Sequence, residues 1–222
     1  MHPSAKTTIH LIRHGDAVPE PDAEIDPERG YDLLGLSVKG RRQAANLATR
    51  LRNTTPLTAV YSSATLRAHE TAQAVADAFG LEVKHDVRLR EINLGSESVA
   101  HVPRAERAEA VRERLAAFAT MALREGSWAG IAGCEPAADV RARAGEAVED
   151  IVRLHPDEHV ALVSHAGTIN AYLASVLGTT RDFFFPTGNT SLSTVRFEDG
   201  RALVVRINDT AHLEKRRAIL AD

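Results

Sequence analysis

The chain has 222 residues, 44% of them hydrophobic, and carries 27 Lys and Arg against 30 Asp and Glu, for a formal charge of −3. This is enough apolar content to bury one ordinary core, and with no basic excess the expected partners do not include nucleic acid. A single cysteine, Cys134, excludes an internal disulfide and a multi-thiolate metal site. No stretch reads as a signal sequence or membrane span, so a cytoplasmic protein with no membrane partner is expected.

Short apolar runs alternate with segments whose apolar residues recur at helical spacing, in the order β-α-β-α-β, further helices, then β-α-β-β. The first strand covers residues 7–12, followed by a loop at 18–32 rich in Pro, Asp, Glu and Gly. A helix begins near Ser37, an N-cap residue type, with Ala44, Leu47, Ala48 and Leu51 as its buried stripe. Residues 58–62 read as a strand feeding a helix at 65–79 that stops at Gly80, and a short extended piece follows at 81–85. Two further helices, at 104–124 (Val111, Leu115, Phe118 and Ala122 inward) and 139–154, are joined by a Gly-rich loop. Arginines and acids interleaved along 104–114 mark a solvated face. A strand ending at Ser164 precedes a helix at 169–177 that stops at Gly178, and Asp199-Gly200 joins two final strands, 191–197 and 202–207, as a hairpin. The pattern predicts a three-layer α/β/α fold with a mostly parallel central sheet and one antiparallel strand. It predicts one domain over 1–222, with 95–136 as a helical cap insertion.

In open α/β sheets ligands bind beyond the carboxyl ends of strands, where two histidines stand: His14 within Arg13-His14-Gly15, and His165 within Ser164-His165-Ala166-Gly167. An imidazole with one nitrogen tied to a carbonyl offers the other as a nucleophile toward phosphorus, and Gly15 lets the main chain approach the ligand. Phosphoryl transfer demands several fixed positive donors. Arg13 is one; Arg67, in the first turn after a second strand end, is another, with the Ser62 and Ser63 hydroxyls and a helix N-terminus nearby. Glu91, after the third extended segment, is the candidate acid for the leaving oxygen.

Taken together, Leu11-Ile12-Arg13-His14-Gly15, Gly40-Arg41-Arg42-Gln43-Ala44, Tyr61-Ser62-Ser63 through Arg67 with Thr71-Ala72, Leu89 through Glu91, and Val163 through Gly167 resemble the histidine phosphatase superfamily, in its phosphoglycerate-mutase-like branch, branch 1. That resemblance implies His14 as the phosphorylated residue, Arg13, Arg67 and His165 as phosphate ligands, and Glu91 as the proton carrier. The segment Gly188-Asn189-Thr190-Ser191 also resembles the family, and the full binding set is read as Arg13, Gly15, Asp16, Ser62, Arg67, His165, Ala166 and Asn189, with no metal and no cofactor expected. Two departures bear on substrate. Glu20 stands where the family often has asparagine, and Ser96 to Ala100 replaces an aromatic-Gly run of the mutases, which favours a phosphatase. Asp16-Ala17 resembles the opening of bacterial protein-phosphohistidine phosphatases, but those chains are shorter, and the long cap favours a small phosphomonoester.

The expected activity is therefore metal-independent hydrolysis of a small phosphorylated metabolite through a phosphohistidine. Mutase-type transfer, protein-phosphohistidine hydrolysis and an inactive phosphate-binding module are the alternatives, and a homodimer remains an open option. Other chemistries fail on spacing. Gly35 and Gly40 precede Arg41-Arg42 rather than Lys-Ser/Thr. Cys134 and Arg141 stand one residue too far apart for a cysteine-phosphatase loop, and Leu162 occupies the glycine position of a serine nucleophile elbow. Pro156 opposes helical presentation of His155 and His159 to a metal.

Overall fold

Strand β1, Thr7–Arg13, is buried on both faces, as a central strand of a parallel sheet must be. After it come, in chain order, α1 (Val38–Thr54), β2 (Leu57–Ser62), α2 (Leu66–Phe79), β3 (Val83–His85), α3 (Arg107–Glu125), α4 (Ala137–Leu154), β4 (His159–Ser164), α5 (Ala166–Leu177), β5 (Leu192–Glu198) and β6 (Arg201–Asp209). The structure, a computed structural model, describes residues 6–20, 22–28, 31–94, 99–131 and 133–214. Residues 95–98 and 132 of the expected cap, and 21, 29 and 30 of the expected loop, lie outside the described set.

The six strands are ordered β3-β2-β4-β1-β5-β6, and only β5 runs against its neighbours, which is the expected mostly parallel sheet with one reversed strand. The pleat divides each central strand between two layers. Ile9 and Leu11 of β1 and Val160 and Leu162 of β4 pack with Ile151 of α4 and Ile169 and Leu173 of α5. The intervening Ile12, Ala161 and Val163 pack with Leu47 and Leu51 of α1 and Ala72 and Val75 of α2. Ser37 caps α1 by accepting from the Gly40 N–H, and Gly80 ends α2 in the left-handed region at φ 67°, as their sequence positions require.

Two expectations need correction. Helix α5 begins at Ala166, three residues before the predicted start, because its cap comes from a distant residue, Glu91. Of the stripe predicted for α3, Val111 and Ala122 are buried with Ala108, whereas Leu115 and Phe118 are only half-buried, since they face a cavity. Among the described residues no helix is long and apolar enough to cross a membrane.

Candidate functional site

The register of β1 on β4 sets Arg13 opposite Ser164, so the residue after each strand is a histidine and the two emerge side by side. The His14 N–H extends the ladder by donating to the Ser164 carbonyl at 3.0 Å, and the Ser63 N–H brings the end of β2 to the same level through the Val163 carbonyl at 3.0 Å. The His14 and His165 ring centroids lie 5.0 Å apart with planes inclined at 59°. From the other side, the Thr190 N–H reaches the carbonyls of Arg13 and His14 at 3.0 and 3.3 Å, and Asn189 Nδ2 donates to the His14 carbonyl at 3.3 Å. Thr190 itself sits at φ 54°, a costly conformation for a β-branched residue, held in place by these two bonds and by the pairing of its hydroxyl with His212 Nε2 at 2.9 Å.

His14 Nδ1 lies 2.7 Å from the Gly15 carbonyl. A carbonyl only accepts, so Nδ1 carries the hydrogen and Nε2 keeps its lone pair. Burial, reinforced by the guanidiniums of Arg67 and Arg13, holds His14 well below the usual imidazole range, so the ring is neutral and nucleophilic at neutral pH. Arg67 is fully buried, with its guanidinium 3.8 Å from the Tyr31 ring centroid and Nη1 donating to the Tyr31 carbonyl at 2.8 Å. Arg13 Nη1 donates to the Thr187 carbonyl. Among the described residues Arg13 Nε and His165 Nδ1 are buried without a hydrogen-bond partner. His165 Nε2 pairs with the Ser63 hydroxyl at 2.8 Å, and burial, then Arg67, His14 and Arg13, keeps this ring neutral as well.

Glu91 is seated on the N-terminus of α5, where its Oε1 accepts from the N–H groups of Ile92, Gly167 and Thr168 at 3.0, 3.1 and 3.3 Å. Free N–H groups at a helix start favour an anion, and Arg67, Arg13 and Arg143 act in the same direction. Burial outweighs them and raises the Glu91 carboxyl above its ordinary range, which suits a group that must hold a proton before giving it up. The segment carrying Glu91 is tied down on both sides. The Ser164 hydroxyl donates to the Leu89 carbonyl at 2.7 Å and that of Thr168 to the Arg90 carbonyl at 2.6 Å. Arg143 of α4 donates to the carbonyls of Arg88, Arg90 and Glu91 and to both oxygens of Glu135. Burial pushes the Glu135 carboxyl up, but Arg90, Arg143 and the Asn93 N–H prevail and set it at about 2, so it stays ionised and keeps the clamp closed.

Arg13, His14, Arg67, Glu91 and Ala166 all line one cavity of about 500 Å³, whose opposite wall is α3. His165 is fully buried beside His14, behind that lining. Three predicted contacts fall elsewhere. Ser62, fully buried, spends its hydroxyl on the Ser63 carbonyl at 2.8 Å, and Ser63 is the neighbour that meets His165. The Asp16 carboxylate accepts from the Ser37 hydroxyl at 2.7 Å and pairs with Lys39, outside the cavity wall. Asn189 serves the His14 carbonyl. At Gly15 a Cβ would lie 2.8 Å from the Gly40 carbonyl oxygen, so close approach to α1 already requires a glycine there.

Sequence reasoning missed Tyr31 under Arg67, Phe183 and Thr187 on the cavity wall, and the Arg143–Glu135 clamp; none lies in a motif or at a strand end. A second cavity, of about 680 Å³, is lined by Thr7, Glu149, Arg153, Tyr172 and Glu198 among others and contains none of the predicted site residues. Among the described residues no three His, Cys, Asp or Glu side chains are grouped to hold a metal ion.

A family model described as Histidine phosphatase superfamily (branch 1) matches residues 9–210. The chain is 30% identical over 208 residues to Phosphoserine phosphatase 1 of Hydrogenobacter thermophilus, covering 91% of this chain and 92% of that one. Among solved structures, Bacillus stearothermophilus YhfR is matched with a TM-score of 0.72 at 28% identity, over 94% of this chain and all of that one. A mycobacterial glucosyl-3-phosphoglycerate phosphatase is matched with a TM-score of 0.69 at 27% identity, over 91% and 99% of the two chains.

Proposed function

Because the chain belongs to the histidine phosphatase superfamily (branch 1) and is a histidine phosphatase, we propose that it hydrolyses small phosphomonoesters without a metal ion, carrying the phosphoryl group on His14 Nε2. The observation that carries this reading is the His14 Nδ1 contact with the Gly15 carbonyl at 2.7 Å, which leaves the lone pair on Nε2 in a ring that Arg67 and Arg13 help to keep neutral.

In the first step Nε2 attacks phosphorus, an N–P bond forms, and the bond to the ester oxygen breaks. Arg13 and Arg67 meet the charge on the equatorial oxygens, with the unpartnered Nδ1 of the His165 ring beside the His14 ring. The leaving alkoxide takes the proton of Glu91. In the second step water attacks the phosphorus held on Nε2, Glu91 accepts a proton of that water, an O–P bond forms as the N–P bond breaks, and orthophosphate leaves with the His14 ring restored. Helix α3 acts as the cap that closes the organic side of the site. Names of relatives support a phosphomonoester substrate: phosphoserine in one and glucosyl-3-phosphoglycerate in another. A mutase would need the phosphoryl group to be returned to a second hydroxyl; the reading here is transfer to water.

The test is p-nitrophenyl phosphate hydrolysis in the presence of chelator, with rapid quenching to trap the intermediate. The expected result is turnover without added metal and an acid-labile, alkali-stable phosphoryl adduct that His14→Ala abolishes together with turnover. Retained activity in His14→Ala, or activity that chelator removes, overturns the reading.

A further inference from the structure

The phosphate end of the cavity is polar, and the rest of it is not. Opposite His14 the wall consists of Leu94, Leu115, Phe118, Leu123, Phe183 and Pro186, and the rings of Phe118 and Phe183 meet edge to face at 6.5 Å. Core packing accounts for only part of this surface: Leu94 and Phe118 pack against a buried cluster that includes Phe183 and Leu115 against another, yet all four also face the cavity. The buried side of α3 consists of Ala108, Val111 and Ala122, while Leu115 and Phe118 turn toward the cavity and Leu123 is well exposed. A helix that leaves Leu115, Phe118 and Leu123 partly in water along one cavity is arranged for a partner that covers them.

The polar groups on that side are already engaged. Among the described lining residues Arg112 is the one cation beyond Arg13 and Arg67, and its guanidinium is held by the Glu109 carboxylate and the Pro19 carbonyl. The Thr187 hydroxyl pairs with Asn170 Nδ2 at 2.8 Å, and its carbonyl accepts from Arg13. An organic group bearing a carboxylate, an ammonium or several hydroxyls would be stripped of water against this wall with little to replace it, whereas an alkyl or aryl group would cover it.

Resting on the phosphatase reading above, we infer that the natural substrate class is an apolar phosphomonoester, a phosphate on an alkyl, isoprenyl-like or aromatic alcohol, with its organic part held against Leu115, Phe118 and Phe183. These side chains are the specificity-determining residues of the site.

The experiment is kcat/KM along the n-alkyl monophosphates from methyl to octyl, beside phosphoserine, 3-phosphoglycerate and p-nitrophenyl phosphate. Within the alkyl series the leaving group has nearly constant basicity, so chain length reports burial alone. Each buried methylene should raise kcat/KM about two- to fourfold until the cavity is filled, placing hexyl phosphate at least about thirtyfold above methyl phosphate and above both carboxylate-bearing substrates. Phe118→Asn should reduce the hexyl-to-methyl ratio at least about tenfold; being a ratio, it is insensitive to the fraction of folded enzyme. A flat series, or a preference for phosphoserine or 3-phosphoglycerate, with p-nitrophenyl phosphate still hydrolysed, overturns the substrate class and leaves the phosphatase reading standing. Inertness toward every substrate overturns both.

Discussion

Replacing Glu91 with glutamine separates two duties of one side chain. The carboxylate meets the backbone through Oε1, which accepts from Ile92, Gly167 and Thr168, while Oε2 makes only a 3.5 Å approach to the Gly167 N–H. A glutamine can therefore place its amide oxygen at the Oε1 position and keep the cap on α5. The charge it gives up at a helix start is worth about 0.3–1 kcal/mol, but burial outweighs that and raises the Glu91 pKa, so the neutral amide should leave Tm unchanged or slightly raised. Glu91→Ala removes the cap itself, about 0.5–2 kcal/mol, and should lower Tm. Catalysis behaves otherwise. Losing a general acid costs about 10²- to 10⁴-fold on an alkyl phosphate, whose alkoxide cannot leave unprotonated, yet less than about tenfold on p-nitrophenyl phosphate, whose leaving group is already acidic. Because burial raises the Glu91 pKa, the wild-type rate on alkyl phosphates declines as pH rises through that value, and Glu91→Gln should lack this alkaline limb. The assay is steady-state kinetics of both variants on both substrates across pH, with thermal melts. Equal losses on the two substrates, or full activity on the alkyl one, would refute the assignment of Glu91 as acid.

Gly167→Ala looks favourable by helix propensity, worth about 1 kcal/mol in a helix interior. Here the new methyl would lie 2.1 Å from Ile92 Cδ1 and 2.8 Å from Glu91 Oε1, so overpacking of about 1–3 kcal/mol should dominate; melts should show a lower Tm and kinetics a lower kcat, and a raised Tm would count against the geometry. Acid stability should depend on His10, whose pKa burial, then His159 and Arg206, lowers to about 4. The folded state then resists a proton that the unfolded chain accepts below its usual 6.5, so stability present above that value is lost as pH falls toward 4, by about 3 kcal/mol at the acid end. Denaturant midpoints at neutral and acid pH should show His10→Gln losing less than wild type by that amount, and parallel losses would rule out this residue as the source.

The strand ends and the two histidines were legible because the signals are local: a short apolar run, then Arg13-His14-Gly15 or Ser164-His165-Ala166-Gly167. Ser37 and Gly80 marked their helix ends for the same reason. The start of α5 was not legible, because its first N–H groups are capped by Glu91, far away in sequence and adjacent only after β4 is in place. Periodicity identified the apolar side of α3 correctly, but it cannot say whether such a side meets core or cavity, so Leu115 and Phe118 read as core. Adjacent serines look alike in sequence; the backbone at the end of β2 decides that Ser63 meets His165 while Ser62 turns to a carbonyl. Arg143 and Glu135 belong to no motif, and only the folded loop at 88–93 shows what they hold.

The turn at 189–190 has a consequence for the order of events during synthesis. His14 is synthesised 175 residues ahead of Asn189, yet the carbonyls on either side of it are fastened by Asn189 and Thr190. A growing chain thus carries its reactive imidazole unshaped until that turn has emerged. Fragments ending before Asn189 should be inert even with every reacting side chain in them.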